Sequence, residues 1–260
     1  MDVKAIFFDC DGTLLSHKTN TVPQSARTAL EMLRQKGIRC ILSTGRHVSE
    51  LASLQPMKDL SFDAWITLNG AVSYDADGIF DSYPISKDDI RTVYEYLQDN
   101  PLPVQFLEEK ESYINLVNDT VIRSQAMIHT PVPPIGNIDR ILTHPIYMMI
   151  PFGIKEAEPL LSLLHDVSAT RWNAHDAIDV FHKDAGKEKG MEAVLKRYGI
   201  HREETAAFGD GMNDCAMLEY AGIGAAMGNS DPNLKKRADL VADDIDEDGI
   251  FKALKQLEIL

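Results

Sequence analysis

Residues 5–13 read Ala-Ile-Phe-Phe-Asp-Cys-Asp-Gly-Thr, four apolar residues running straight into two carboxylates and a glycine. The run Ala5–Phe8 is too short for a helix and rich in β-formers, so it predicts a buried strand that ends in an acidic turn. Working outward, Pro23 opens a stretch in which Ala26, Leu30 and Leu33 recur at helical spacing, and Gly37 ends it as a left-handed cap would. Ile38–Leu42 and Ala64–Leu68 read as two further strands, and Asn69-Gly70 and Asp77-Gly78 flank a hairpin. The same rhythm returns near the other end. A helix from Lys187 to Tyr198 stops at Gly199, a strand follows at Thr205–Phe208, and a helix begins near Asn213. Another strand lies at Ile223–Ala226, and a closing helix near Gly249–Leu257. Alternating strands and helices predict an α/β fold with a doubly wound, parallel, Rossmann-like sheet.

Residues 84–183 have a different texture. Short β-like runs (Val104–Leu107, Tyr113–Val117, Ile146–Ile150, Ile178–Phe181) are separated by helical stretches at about 87–99, 119–128 and 155–166. Most of the prolines fall here, including Pro131, Pro133 and Pro134. This predicts an α+β domain, 84–183, inserted into a core made of 1–83 plus 184–260.

Composition narrows the function. With 44% hydrophobic residues in 260, the chain has ample material for a folded core. The net charge of −14, from 40 acidic against 26 basic residues, makes nucleic acid and anionic membranes poor partners. An anionic small molecule stays possible, because local donors or a metal can invert the field inside a pocket. Cys10, Cys40 and Cys215 show no paired spacing, which favours a reducing compartment without disulfides. No signal-peptide pattern and no run of 18 apolar residues is present, so a cytoplasmic location is expected.

Four clusters carry chemistry, and three of them follow strands, at the sheet edge where open α/β folds bind ligands. Asp9-Cys10-Asp11-Gly12-Thr13 offers two carboxylates that can share a hard cation while one remains free to attack. Ser43-Thr44-Gly45-Arg46 offers a hydroxyl and backbone N–H groups for phosphate oxygens, although an ordinary helix cap has the same sequence. Lys187 supplies a point charge, a type of residue that is usually just solvated. Gly209-Asp210-Gly211-Met212-Asn213-Asp214 supplies two carboxylates and an amide on a flexible loop, or else a turn in which Asn213 caps the next helix. The eight histidines, His175 and His182 among them, lack zinc-ligand spacing. Trp172 and Asp179 are expected in the strand returning from the insert, where hairpin packing competes with substrate contact.

In order and spacing these clusters resemble the haloacid dehalogenase-like hydrolase superfamily, in its Cof-type sugar-phosphatase-like branch with a subclass IIB cap. Asp9–Leu15 matches the first motif, Thr44-Gly45-Arg46 the second, Lys187 the third and Gly209–Asp214 the fourth. The run Phe208-Gly-Asp-Gly-Met-Asn-Asp-Cys-Ala-Met-Leu is the most specific part, and Ala225-Ala-Met-Gly-Asn229 also fits. Lys189 competes with Lys187 for one role, and the spacing to Gly190 favours Lys187. The resemblance implies an Mg²⁺-dependent phosphatase in which Asp9 attacks phosphorus and Asp11 protonates the leaving oxygen, then activates water. It implies that Asp9, the Asp11 carbonyl and Asp210 hold Mg²⁺, with Asp214 in support, either through water or by orienting Lys187. Thr44, the N–H groups of Cys10 and Gly45, Lys187 and Asn213 would hold phosphoryl oxygens.

A small phosphorylated metabolite is the expected partner, and the protein a monomer or homodimer. A phosphomutase would use the same carboxylates. A phospho-accepting receiver domain would be shorter and lack the insert. A non-catalytic regulatory protein on this scaffold is disfavoured because each catalytic position holds the residue type it needs. No motif within 84–183 names the substrate.

Overall fold

The computed structural model describes residues 2–128, 130–172 and 176–260, so His175 lies outside the described residues. The chain separates into two compact units, one of Met1–Arg46, Leu51–Asp81 and Gly186–Leu260, the other of His47–Glu50 and Ser82–Ala185.

The chain begins with β1 (Ala5–Phe8), α1 (Gln24–Gln35), β2 (Arg39–Ser43), α2 (Val48–Ser53), β3 (Ala64–Thr67), β4 (Val72–Asp75) and β5 (Gly78–Ser82). The inserted segment holds α3 (Lys87–Asp99), β6 (Val104–Leu107), β7 (Ser112–Ile114), α4 (Asp119–Met127), β8 (Met148–Pro151), α5 (Ile154–Leu161), β9 (Val167–Arg171) and β10 (Ile178–His182). The chain closes with α6 (Lys187–Tyr198), β11 (Thr205–Gly209), α7 (Cys215–Tyr220), β12 (Ile223–Ala226), α8 (Pro232–Lys235), β13 (Leu240–Val241) and α9 (Gly249–Gln256).

Among the described residues of the first unit, the strands form one sheet in the order β13-β12-β11-β1-β2-β3-β4-β5. Pairing is parallel from β13 to β3, and β4 then runs antiparallel to β3. The run Ala5–Phe8 is wholly apolar because both faces of β1 are covered. Ile6 and Phe8 point into a cluster with Leu30 and Leu33 of α1 and Leu254 of α9. Ala5 and Phe7 point the other way, into a cluster with Met191 and Val194 of α6 and Met217 of α7. Each fully buried leucine contributes about 1.5–3 kcal/mol over its exposed state, so α1 is held by its apolar stripe more than by its caps.

The second unit is α+β. Its sheet has the order β7-β6-β8-β10-β9, with antiparallel neighbours throughout. Alternate residues Val104, Phe106, Met149, Ile178 and Val180 face one way and pack with Ile90 and Val93 of α3 and Leu160 of α5. Ser86 caps α3 by accepting from the Asp89 N–H at 3.1 Å, and Asn118 caps α4 from the Val121 N–H at 3.1 Å. Trp172 departs from its expected strand. It follows β9, while Asp179 lies in β10, and the indole Nε1–H donates across the hairpin to Asp179 Oδ1 at 2.6 Å.

Candidate active site

β1 and β11 are parallel neighbours in which Phe8 pairs with Phe208, and their rings stack at 5.6 Å. The register sets the two acidic loops at one level, and the Asp9 N–H donates to the Phe208 carbonyl at 2.9 Å. As a result Asp9 and the sequence-distant loop residues Asp210 and Asp214 present carboxylate oxygens within 4.8 Å of one another.

Gly12 allows this approach. It sits at φ 79°, and a Cβ there would stand 2.2 Å from Asp210 Oδ2. The turn is closed by the Leu14 and Leu15 N–H groups, which donate to the Cys10 carbonyl at 2.9 and 2.7 Å. Asn229 holds it from outside, donating from Nδ2 to the Gly12 carbonyl at 2.7 Å and accepting from the Ile245 N–H at 3.0 Å. Thr13 Oγ1 donates to Asp210 Oδ1 at 3.2 Å.

Lys187, the first residue of α6, is 1% exposed. Its Nζ donates to Asp9 Oδ1 at 2.6 Å and to Asp214 Oδ1 at 2.5 Å. Lys189 pairs instead with Glu192 at 3.0 Å, so the geometry brings Lys187, of the two, to the carboxylates. The second oxygen of Asp214 accepts from the Asp210 and Gly211 N–H groups, both at 2.9 Å. Asp214 therefore braces the Asp210 loop and orients the lysine at once.

Charge balance at this cluster is negative. Burial raises the Asp9 carboxyl well above the ordinary range, Asp214 adds to the rise, and the pull of Lys187 does not offset them. Burial, again followed by Asp214, pushes Asp210 up to about 7. Burial alone would lower Lys187, but attraction by Asp214 and Asp9 prevails and its pKa is raised. Two buried carboxylates and a half-buried one against one ammonium, with only oxygen donors, fit a hard divalent cation better than they fit each other.

The Asp11 side chain turns away from this group. Its Oδ2 accepts from Arg46 Nε at 2.6 Å and its Oδ1 from the second guanidinium nitrogen at 2.8 Å. Arg46 belongs to the second motif, but a bidentate Arg–carboxylate pair has no signature in spacing. Thr44 is buried, and its Oγ1 accepts from the Arg46 N–H at 3.1 Å, which leaves its own proton to donate elsewhere. Cys10 is buried and its thiol pKa is raised well above normal, first by burial and then by Asp11 and Asp9. Asn213 does not cap α7, whose N-cap is Asp214; its Nδ2 donates to Asn69 Oδ1 at 3.2 Å. Asn69 was legible only as part of a turn.

The profile of the haloacid dehalogenase-like hydrolases matches residues 6–254. The chain belongs to that family. It is 30% identical over 261 residues to the putative phosphatase YkrA of Bacillus subtilis (strain 168), covering 100% of both chains. It is similar to the solved phosphatase BT1666 from Bacteroides thetaiotaomicron, at TM-score 0.89 and 32% identity, over 99% of this chain and 96% of that one. It is also similar to the subclass IIB sugar phosphatase BT4131, at TM-score 0.86 and 33% identity, over 99% and 100%. The resemblance to the Cof-type, subclass IIB branch holds, and the enzyme is a phosphatase. No helix among the described residues of this phosphatase is long and apolar enough to cross a membrane.

Proposed function

We propose that this phosphatase hydrolyses a small phosphorylated metabolite in two displacements, with a phosphoryl group carried transiently on Asp9. The observation that supports it best is the gathering of Asp9, Asp210 and Asp214 around the buried Lys187 ammonium at the carboxyl ends of β1 and β11. Asp9 Oδ1 is held by Lys187 Nζ, which leaves its other oxygen to attack phosphorus in line. Lys187, Thr44, Asn213 and the N–H groups of Cys10 and Gly45 hold the equatorial phosphoryl oxygens, where charge spreads in the transition state.

Asp9, the Asp11 carbonyl and Asp210 would hold Mg²⁺, which when bound neutralises the carboxylate cluster and the phosphate. Asp11 serves as acid toward the leaving oxygen and then as base toward water. Its pair with Arg46 has to open before it can do either. A phosphomutase would share every one of these residues and differ only in returning the phosphoryl group to an organic acceptor.

The segment 84–183 is assigned to substrate discrimination, because the core residues above address only phosphate and metal. The sugar phosphatase BT4131 makes a sugar phosphate the first substrate class to try. The test is a screen of phosphorylated metabolites with phosphate release as readout, run in Mg²⁺ and again after dialysis against excess EDTA. The expected result is turnover that vanishes with EDTA and returns with Mg²⁺. Full turnover in EDTA contradicts the metal assignment, and transfer to a second metabolite without phosphate release contradicts hydrolysis.

A further inference from the structure

Between β3 and β4 the backbone takes a form that an ordinary tight turn does not need. Leu68, Asn69 and Gly70 have φ values of 53°, 53° and 93°, three consecutive residues in the left-handed region. Glycine adopts it freely, whereas Leu68 and Asn69 hold it against crowding of Cβ on the carbonyl. Strain of this kind persists where the surroundings over-determine it, and it gathers at functional sites.

The surroundings here are the phosphate-side loops. The Leu68 N–H donates to the Arg46 carbonyl at 3.3 Å and the Asn69 N–H to the Thr44 carbonyl at 3.1 Å, strapping the turn to the loop after β2. A Cβ on Gly70 would stand 2.0 Å from the carbonyl oxygen of Gly186, the residue before Lys187. The Asn69 side chain is 4% exposed. Its Oδ1 accepts from Asn213 Nδ2 at 3.2 Å and lies 3.1 Å from where a Cβ on Gly45 would be. One tripeptide thus meets the loops that carry Thr44 and Gly45, Lys187, and Asn213.

We propose that Asn69 is a positioning residue for the phosphoryl group, setting the Asn213 carboxamide and the Gly45 backbone relative to each other so that both donate to the same phosphate. Oδ1 takes one proton of the Asn213 amide and so fixes its plane, and the other proton is left to donate outward. Asparagine suits the position twice: it tolerates the left-handed backbone, and its amide reaches a neighbouring loop. The inference rests on the assignment of Asn213 and Gly45 to phosphate, and on nothing about the leaving group.

Asn69→Gly separates the two roles, because it relaxes the backbone while it deletes the amide. The full-length variant and the parent are compared with p-nitrophenyl phosphate in Mg²⁺, with inorganic phosphate as competitive inhibitor and Tm as the check on folding. The expected result is an unchanged or higher Tm, with KM and the phosphate inhibition constant both raised about tenfold, the scale of one lost hydrogen bond. A purely conformational role predicts unchanged phosphate inhibition, and that result overturns the proposal. Should Asn69→Gly fail to fold, Asn69→Ala carries the test, since it keeps a side chain on the same backbone and deletes the acceptor for Asn213. It is expected to weaken phosphate inhibition about tenfold, and parent-like inhibition overturns the proposal equally. A parent that neither cleaves p-nitrophenyl phosphate nor responds to phosphate removes the reading of the site together with this inference. A competent parent matched by its variants removes this inference alone.

Discussion

Asp11 is bound through both side-chain oxygens to Arg46, yet its assigned work is to give a proton to a leaving oxygen. Replacing it by asparagine keeps the backbone carbonyl assigned to the metal and removes the proton. Asp11→Asn is therefore expected to slow phosphorylation by alkyl phosphates about 10²–10⁴-fold, the usual worth of a positioned acid, and to slow p-nitrophenyl phosphate much less. Rapid-quench measurement of the first step checks this, and equal losses for both substrates would speak against the acid role. The sequence made Asp9 and Asp210 legible as neighbours, because each follows a predicted strand and strands of one sheet share a rim, and the family resemblance added Asp214 in support. It did not disclose the Arg46 partner of Asp11 or the Asn69 partner of Asn213. Both contacts depend on how two loops face each other in space, which no spacing along one chain encodes.

The elements were most legible where a glycine punctuates them. α6 ends at Tyr198 because Gly199 takes φ 66°, as a left-handed cap does. β9, by contrast, was missed: Val-Ser-Ala-Thr-Arg at 167–171 is only partly buried, and pairing with β10 makes it a strand. Two glycines of α6 test what the helix is for. A Cβ on Gly190 would stand 2.4 Å from Ile66 Cγ2, a branch too close to the backbone to swing aside, so Gly190→Ala must push α6 off β3 and carry Lys187 with it. Gly199 has nothing within 4 Å of its would-be Cβ, so Gly199→Ala strains only the local backbone. Both are expected to cost about 1–2 kcal/mol in denaturant unfolding. Activity should fall at least tenfold in Gly190→Ala and stay near the parent in Gly199→Ala; equal activities would mean that α6 does not position the lysine.

For the whole molecule, a net charge of −14 is compatible with an anionic substrate because the site gathers its own buried ammonium and the carboxylates proposed to hold a cation. The overall α/β rhythm and its interruption by an α+β segment were readable from periodicity. The reach of the second unit was not: His47–Glu50, next to the second motif, cluster with it, and His47 Nε2 lies 3.0 Å from the Glu108 carbonyl. Exchanging residues 84–183 for the matching segment of a relative with another substrate preference is expected to carry that preference over, measured as the ranking of kcat/KM across a metabolite panel. Retention of the parent ranking would assign specificity to the core loops. The account as a whole turns on Asp9 accepting the phosphoryl group, and that fixes the stereochemical course at phosphorus. With a phosphorothioate monoester made chiral by two oxygen isotopes and hydrolysed in water carrying the third, two in-line displacements predict inorganic thiophosphate released with net retention of configuration. Net inversion would mean a single displacement by water and would contradict the covalent role of Asp9.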